Sequence, residues 1–211
     1  MATSSPVMAS VLTRTWQGRG ALAPLRQAHP YLSGKGLSML GCDGLRLAGC
    51  ALLVPVMLDH GLISLQSITS DGTKKFYPGA PVKAGAFVLA RPRAAVTVIC
   101  EGLATGLAVY QCVRAASVVV AFDCGNLLPV IQRIKPTGAV VIAADNDWRT
   151  QAARGFNPGL DKARNAAELI GCGVAFPEDI EGSDWDDAMR QYGQGAAKRI
   201  ERLILAKAQY V

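Results

Sequence analysis

The sequence is poor in aromatic residues and has no long apolar run. Only 6% of its 211 residues are aromatic, although 50% are hydrophobic. A core filled mainly by aliphatic side chains is typical of α/β folds, whose buried strands are continuous aliphatic runs. No apolar run approaches the ~20 residues of a membrane helix, and the first residues lack the pattern of a secretory signal. These absences predict a soluble, cytoplasmic protein with no membrane partner.

The cysteines are not spaced like zinc ligands. The chain contains Cys42, Cys50, Cys100, Cys112, Cys124 and Cys172, and no two of them form a C-x-x-C pair. Three of them lie in or beside apolar runs, where a free thiol behaves as a small hydrophobic side chain. We therefore expect reduced, structural cysteines and no bound zinc.

The charge balance is moderately basic. There are 22 Lys and Arg against 16 Asp and Glu, which gives a net charge of +6 and a pI near 9.1. A basic balance favours a polyanionic partner, because binding to phosphates releases condensed counterions. Solubility alone would also account for a charge of this size, so the two interpretations stay open.

The predicted secondary structure changes along the chain. Within the second quarter, strand-like runs at 51–57 and 62–69 flank an Asp59-His60-Gly61 turn, which predicts an antiparallel hairpin. A second turn leads into the Lys74-Lys75-Phe76-Tyr77 stretch. The predicted segments are a lead-in or linker at 1–28, a small, basic, mixed α+β subdomain at 29–92, an α/β domain at 93–192 and a C-terminal helix at 193–211.

Strands and helices alternate after Arg93. Strands are predicted at 95–100, 117–122, 139–144 and 173–176, and helices at 102–111, 127–134, 160–170 and 184–192. This alternation, with continuous aliphatic strands, predicts an α/β fold with a mostly parallel sheet flanked by helices on both faces.

Three acids follow two of these strands. Glu101 ends the first strand, and Asp145 and Asp147 follow the third. Ligands of an open parallel sheet bind at the carboxyl ends of its strands, so the three carboxylates are expected at one edge. Such a concentration of negative charge requires a cation, and Mg²⁺ prefers carboxylate oxygens. The sequence therefore predicts a magnesium site formed by Glu101, Asp145 and Asp147.

The residues after Glu101 form the string EGLATG. Gly102 permits a tight turn and a close approach to a ligand. Thr105 and Gly106, near the first turn of the next helix, could donate amide or hydroxyl hydrogen bonds to phosphate. The alternative is an ordinary strand-to-helix turn.

Together these motifs resemble a known domain. EGLATG at residue 101, the strand SVVVAFD and then VVIAADND are similar to the Toprim domain of bacterial-type primases, type IA and type II topoisomerases and several nucleases. His29-Pro30-Tyr31-Leu32, AFDCGNLLPVIQRI, NPGLDKARNAAELIG and Gly182-Ser-Asp184-Trp185-Asp186-Asp187 resemble primases of conjugative plasmids and phage-like primase-helicases. The similarity covers roughly residues 29–192.

The resemblance implies a function and a set of site residues. It identifies 93–192 as a Toprim catalytic domain, with Glu101 in general acid–base work and Asp145 and Asp147 as metal ligands. The implied enzyme is a Mg²⁺-dependent nucleotidyltransferase, with Mn²⁺ as a substitute. It would be a DNA primase core that makes short primers from nucleoside triphosphates on single-stranded DNA, for plasmid, phage or mobile-element replication or transfer.

A second group of acids lies at the start of the last predicted helix of the domain. Asp184 and Asp186 resemble a late acidic element of these primases, and they are candidates for a further metal contact. Asp187 follows Asp186 here, where the family pattern has Asn and then Asp. The alternative is a helix N-terminus, which favours carboxylates through capping and the macrodipole. At the end of the second strand, beside Asp123, we expect Asn126 to cap the next helix.

Basic residues lie just before the first acid in sequence. A nucleic-acid or nucleotide contact is expected at these positions together with the EGLATG turn. The predicted contact residues are Lys74, Lys75, Lys83, Arg91, Arg93, Gly102 and Thr105. An ordinary solvated surface is the alternative. Phe76 and Tyr77 are expected in the core rather than stacked on a base, and no catalytic role is assigned to His29 or His60.

Two other functions stay open on the sequence alone. One is a Toprim metal-dependent nuclease, and the other is a non-catalytic nucleic-acid-binding subunit of a replication complex. The chain contains no GxxxxGK[ST] phosphate loop of a helicase. We therefore expect single-stranded DNA and nucleoside triphosphates as partners, together with a helicase or another replication subunit.

Overall fold

The structure is a computed structural model that describes residues 6–17 and 28–211. Its helices are α1 Pro6–Gln17, α2 Pro30–Gly34, α3 Leu103–Cys112, α4 Leu127–Ile134, α5 Trp148–Arg154, α6 Pro158–Ile170, α7 Trp185–Tyr192 and α8 Ala196–Leu205. Its strands are β1 Arg46–Ala48, β2 Ala51–Leu58, β3 Gly61–Ile68, β4 Lys74–Phe76, β5 Phe87–Leu89, β6 Val96–Cys100, β7 Ala116–Val120, β8 Ala139–Ala143, β9 Gly173–Ala175 and β10 Gln209–Tyr210. The rest of the predicted lead-in lies outside the described residues.

The first sheet is antiparallel throughout, in the order β1-β2-β3-β4. Its central hairpin pairs Leu58 with Gly61 around the predicted turn, where Asp59 adopts a positive φ of 52°. Helix α1 packs on β3, and its Leu12 is fully buried. This sheet confirms the predicted antiparallel strands of the N-terminal part.

The second sheet is mostly parallel. Strands β7, β6, β8 and β9 lie side by side and run in the same direction, while β5 and β10 join antiparallel at the two sides. In register, Val98 lies between Val118 and Val141, so aliphatic side chains stack across the sheet. This confirms the predicted α/β sheet.

Helices cover both faces of the second sheet. On one face, side chains of α3, α7 and α8 form a single hydrophobic core with the N-terminal residues, Tyr31 and Leu52 among them. On the other face, α4 and α6 cover a separate core. The antiparallel part of the chain is therefore packed onto the parallel part through one continuous core.

Some elements differ from the prediction. Strand β5 lies within the predicted N-terminal subdomain but pairs with β7 of the second sheet. Strand β10 follows α8 in a segment that was predicted as helix only. Helix α5 was not predicted, because none of its described side chains is buried and it has no apolar period. Among the described helices, none combines the length and apolar character needed to cross a bilayer.

Candidate active site

The three predicted acids leave the same edge of the parallel sheet. The last residues of β6 and β8, Cys100 and Ala143, are partners in the sheet register. Glu101 follows the first of them directly, and Asp145 follows the second after one further residue. All three carboxylates are therefore carried by the carboxyl ends of adjacent strands, as predicted from the sequence.

Burial and nearby carboxylates raise the pKa values of Glu101 and Asp145. Partial burial, with Asp147 and Asp123 nearby, raises the pKa of Glu101 to about 6, against the weaker opposing effect of Lys74. Burial also raises the pKa of Asp145 well above its usual range, and the neighbouring Glu101 adds to this effect. Each carboxylate disfavours the ionisation of the other, so a cation placed between them would be strongly favoured.

Helix α3 holds Asp145 in place. Thr105, which is only 2% exposed, donates a hydrogen bond of 2.8 Å from its hydroxyl to Oδ1 of Asp145. A hydroxyl has one hydrogen to donate. In this arrangement the Thr105 hydroxyl orients a carboxylate, instead of making the phosphate contact predicted from the sequence.

The two glycines of EGLATG have different roles. Gly102 lies just before α3, and a Cβ placed on it would come 3.9 Å from Nζ of Lys74. Gly106 is buried inside the helix, and its amide donates to the carbonyl of Gly102 at 2.9 Å. That amide is not free for phosphate, contrary to expectation. A Cβ on Gly106 would lie 2.6 Å from Cγ2 of Val120, so the glycine permits close packing of α3 on the sheet.

Asn157 organises the loop that carries Asp147, and the sequence analysis missed it. It caps α6, since its Oδ1 accepts from the amide of Leu160 at 3.3 Å. The same oxygen accepts from the amide of Asp147 at 3.1 Å, and Nδ2 donates to Oδ1 of Asn146 at 3.0 Å. The Asn-Pro pair before an apolar period is a recognisable cap signal, but its link to the acidic loop is tertiary.

The N-terminus of α6 faces Asp147. The amide of Gly159 donates to Oδ2 of Asp147 at 3.3 Å. A Cβ on this glycine would lie 3.1 Å from that carboxylate oxygen and equally close to the carbonyl oxygen of Asp145. The first turn of α6 therefore orients the Asp147 carboxylate through a backbone amide.

The segment before α7 is tied to the same loop. Trp185 is fully buried and donates from its indole nitrogen to the carbonyl of Ala144 at 3.0 Å. The amide of Asn146 donates to the carbonyl of Ser183 at 2.7 Å. Asp184 is the N-cap of α7, since its Oδ1 accepts from the amide of Asp187 at 3.0 Å. The helix-cap interpretation of Asp184 is therefore confirmed, and a metal contact stays a prediction.

Lys35 is the main residue of this site that the sequence analysis missed. Its Nζ lies 2.8 Å from Oδ2 of Asp186, which is fully buried, and 3.2 Å from Oδ2 of Asp184. Partial burial acts to lower the pKa of Lys35, but the hydrogen bond to Asp186 and both negative charges outweigh it and raise that pKa. Burial, followed by Asp184, raises the pKa of Asp186 to about 7. No local pattern could have joined Lys35 to acids 149 and 151 residues away.

Tyr31 lies on the same turn as Lys35. Its side chain is 5% exposed, and its buried hydroxyl has no hydrogen-bond partner. Burial raises the pKa of Tyr31 to about 12. Lys35 opposes this effect, whereas Asp186, Asp184 and Asp145 add to it. The hydroxyl therefore lies near the acids.

The carboxylates around α7 form the tightest acidic group. One oxygen each from Asp184, Asp186 and Asp187 lie within 4.8 Å of one another, a spacing at which a metal ion could be held. Among the residues described, Glu101, Asp145 and Asp147 do not form such a close set. An ion between them would complete its coordination with water or phosphate oxygens, as Mg²⁺ commonly does.

The predicted basic residues separate into two groups. Lys74 lies beside Gly102 and close enough to Glu101 to counteract the rise in its pKa. Lys75 is exposed and, by strand alternation, points to the opposite face of β4. Lys83 is exposed in a loop whose next residue, Ala84, donates its amide to Asn126 at 2.7 Å, near the carboxyl end of β7.

Arg91 and Arg93 lie at the other end of the sheet. The guanidinium of Arg91 donates to the carbonyls of Tyr110 and Ala116 at 2.8 and 3.3 Å and stacks on the Tyr110 ring. Ala116 begins β7, so this is the amino edge. Arg93 follows in an exposed turn with a φ of 57°. These two arginines are close to Glu101 in sequence but lie away from the three acids in space, and their contact with nucleic acid or nucleotide stays a prediction.

Asp123 and Asn126 both lie before α4. Asp123 caps the 3₁₀ turn Cys124–Asn126 that leads into this helix, since its Oδ1 accepts from the amide of Asn126 at 2.9 Å. Asn126 occupies the N-cap position of α4, as predicted, but its side chain makes no capping hydrogen bond. Its buried Nδ2 instead donates to the carbonyls of Ala121 and Gly85 at 2.7 and 3.0 Å, which joins the 82–85 loop to the end of β7.

Several smaller expectations are met. His29 has a structural role, since Nδ1 accepts from the amide of Tyr31 at 3.2 Å and Nε2 lies 2.9 Å from the carbonyl oxygen of Cys50. Phe76 packs edge-to-face against Phe122, with ring centroids 5.8 Å apart. The six cysteines are unpaired, and Cys50 is the one of them that is exposed.

Comparison with known proteins identifies the central part of the chain. Residues 96–195 match the model of the Toprim domain family. Two relatives from Escherichia coli, each named DNA primase TraC, are 35% and 34% identical over 166 and 165 residues, or 74% of this chain. The matched regions are only 16% and 11% of the relatives, so the chain spans a small fraction of their length.

Solved primase structures have a similar fold. The Aquifex aeolicus primase, with its zinc-binding and RNA polymerase domains, gives a TM-score of 0.58 at 14% identity, over 97% of this chain and 61% of that one. The primase fragment of the bacteriophage T7 primase-helicase gives 0.57 at 12% identity, over 82% and 73%. At these identities the similarity concerns the fold alone. Residues 96–195 therefore match the Toprim domain family, in a chain that is similar to DNA primases named TraC and shares the fold of solved primase structures.

Proposed function

We propose that this chain is the catalytic core of a DNA primase, a nucleotidyltransferase that makes short primers from nucleoside triphosphates on single-stranded DNA. The observation that carries the proposal is the convergence of Glu101, Asp145 and Asp147 at the carboxyl edge of a Toprim sheet. The similarity to the TraC primases supports the same function. Replication or transfer of a plasmid, phage or mobile element, in the cytoplasm, is the expected setting.

The donor atoms of the site fit a divalent ion that prefers oxygen. Glu101 and Asp145 have raised pKa values because burial disfavours their charged forms, and nearby carboxylates add to this effect, Asp147 and Asp123 for Glu101 and Glu101 for Asp145. A cation would offset both effects, and carboxylate oxygens suit Mg²⁺ or Mn²⁺ better than zinc. Glu101, Asp145 and Asp147 would hold the ion, which when bound would neutralise charge on the triphosphate.

The surrounding residues would position the reactants. Glu101, with a pKa of about 6, is suited to accept a proton from the attacking 3′-hydroxyl near neutral pH. Thr105 and Asn157 orient the ligating loop, and Lys74 places a positive charge beside the strand end. Lys74, Lys75 and Lys83 are the proposed contacts to template or nucleotide phosphates, and Gly102 leaves room for them to approach. A helicase or another replication subunit is the proposed protein partner.

Primer synthesis on single-stranded DNA tests the proposal. Wild type should extend nucleoside triphosphates into short products with Mg²⁺ or Mn²⁺, and Glu101→Gln and Asp145→Asn should abolish the activity. Glu168→Gln, a change at an exposed acid of α6, serves as the matched control. Full activity in both site variants would overturn the catalytic assignment.

The same preparation separates the alternative functions. Cleavage of single-stranded DNA or RNA without nucleotides, dependent on Asp145, would indicate a nuclease. Binding of DNA with neither synthesis nor cleavage would indicate a non-catalytic subunit.

A further inference from the structure

We propose that Lys35 is the resident cation of Asp184 and Asp186, and that its ammonium group takes the place of a divalent ion at this pair. Divalent binding is then confined to Glu101, Asp145 and Asp147. The inference rests on the metal site proposed above, but it does not depend on primer synthesis.

The geometry assigns one ammonium to two carboxylates. Nζ of Lys35 lies within 3.2 Å of an oxygen from each, and the contact to Asp186 is the shorter at 2.8 Å. Asp186 is fully buried, whereas 29% of the Lys35 side chain is exposed. A buried carboxylate is stable in its charged form only with a partner this close. The ammonium group is therefore the ion-pair partner of both carboxylates, and it is the counter-charge of Asp186, whose buried oxygens have no other hydrogen-bond partner among the described residues.

The negative charge of Asp187, the third acid of the cluster, also has a basic partner. Asp187 pairs with Arg190, and its other oxygen accepts from the amide of Ser183 at 3.1 Å. Three carboxylates thus face two basic side chains. Among the described residues, none of Glu101, Asp145 and Asp147 forms an ion pair with a basic side chain, and Lys74 only opposes the rise in the pKa of Glu101. The trio at the strand ends is therefore the more negative of the two groups. A divalent ion would be attracted more strongly to Glu101, Asp145 and Asp147, whereas Lys35 would repel it at the α7 cluster.

Tyr31 provides an independent observation. Its hydroxyl is buried without a hydrogen-bond partner, and it lies among Lys35, Asp184 and Asp186. Tyr31 and Lys35 are one helical turn apart, and the amide of Lys35 donates to the carbonyl of Tyr31 at 3.2 Å. The turn that carries Lys35 is therefore anchored by a buried tyrosine.

Counting bound Mn²⁺ tests the inference without any turnover. Free Mn²⁺ is measured by electron paramagnetic resonance during titration of the purified chain, in the absence of nucleotide. Wild type and Asp186→Asn should each bind one ion at saturation, and Asp145→Asn should lose it. Lys35→Met should bind two ions, and the second should disappear in the Lys35→Met/Asp186→Asn double variant. Lys35→Arg, which keeps the charge, and Lys198→Met, an exposed lysine of α8, should behave as wild type.

Two results would overturn the inference. One is that wild type binds two ions and Asp186→Asn binds only one, because a metal ion would then displace Lys35 from Asp186. The other is a folded Lys35→Met variant that still binds a single ion. The Asp186→Asn comparison retains Lys35, so the test stands even if Lys35→Met unfolds. If the ion counts are as expected but the wild type makes no primers, the proposed function is contradicted and the inference about Lys35 is not.

Discussion

Thr105 and Asp145 are joined by a hydrogen bond of 2.8 Å, although they lie 40 residues apart in the chain. The bond connects the first turn of α3 to the segment that follows β8. Because Thr105 is buried, its hydroxyl has little freedom to choose another partner. The orientation of the Asp145 carboxylate, a proposed metal ligand, therefore depends on a helix that begins after a different strand.

Thr105→Val should weaken the metal site while preserving the packing. Valine has nearly the same shape but donates no hydrogen bond, and loss of such a partner typically costs about 10- to 100-fold in metal affinity. We expect Mn²⁺ affinity to fall within that range, with primer synthesis reduced at low metal and partly restored at high metal. Thr105→Ser should stay close to wild type. Equal Mn²⁺ affinity in the valine and serine variants would show that the hydrogen bond has no such role.

Asn157→Ala should disturb the loop that carries Asp147. The substitution removes the α6 cap, at a cost of about 1 kcal/mol in unfolding free energy, and also frees the amide of Asp147. We expect a lower Tm and, separately, a weaker affinity for Mn²⁺. Asn165→Ala changes an exposed asparagine on the same helix and should alter neither quantity. A lower Tm with unchanged Mn²⁺ affinity would limit Asn157 to helix capping.

The stabilisation of the protein by Mg²⁺ should depend on pH. The pKa of Glu101 is raised from 4.5 to about 6 in the folded, metal-free protein. A raised carboxyl pKa favours the folded state below pH 4.5, and this contribution is lost as the pH rises through about 6. Mg²⁺ binds the ionised carboxylates, so it should raise the Tm more at about pH 7.5 than at about pH 5.

Thermal melting with and without Mg²⁺ at both pH values checks this expectation. Glu101→Gln should reduce the difference between the two pH values, because the substituted side chain does not titrate. An identical Mg²⁺ effect at both pH values in wild type would contradict the prediction.

Lys74 and Lys75 form a matched pair for testing phosphate contacts. They are neighbours on β4 but point to opposite faces of the strand, and Lys74 is the one beside Gly102. Lys74→Gln should reduce primer synthesis several-fold more than Lys75→Gln, mainly by raising the KM for nucleotide. If Lys75→Gln has the larger effect, the phosphates approach from the other face of β4.

Gly106→Ala should destabilise the protein. The new Cβ would lie 2.6 Å from Val120 and 3.2 Å from Sγ of Cys100, inside the interface between α3 and the sheet. Overpacking of this kind costs about 1–3 kcal/mol, which denaturant unfolding would measure. Gly195→Ala is the control, because a Cβ there meets no atom within 4 Å. Equal unfolding free energies for the two variants would mean that the helix moves away without strain.

Long aliphatic strands and the acids at their ends could be predicted from the sequence. Strands β6 and β8 are continuous apolar runs, and each is followed by a carboxylate, so the rule for parallel sheets placed Glu101 and Asp145 correctly. Short or exposed elements could not be predicted in this way. Strands β5 and β10 have three residues and two, too few to show a period, and α5 has no apolar face.

Contacts between segments that are distant in sequence could not be predicted either. Lys35 is an ordinary lysine in the sequence, and only the tertiary fold brings the end of α2 to Asp186. Arg91 is the reverse case, because it is close to Glu101 in sequence but distant in space. It precedes β6 and therefore lies at the amino edge of the sheet. The position of a charge relative to the start or end of a strand predicts its location better than its distance from the motif in sequence.

The pairing of β5 with β7 has a consequence for dissecting the molecule. A fragment starting at residue 93 would keep the whole Toprim match but lose the outer strand of its sheet. The backbone amides and carbonyls along β7 would then have no partner on that side, and an unpaired strand of this kind recruits other chains. The self-association of such a fragment would follow from where it was cut and would say nothing about the intact protein.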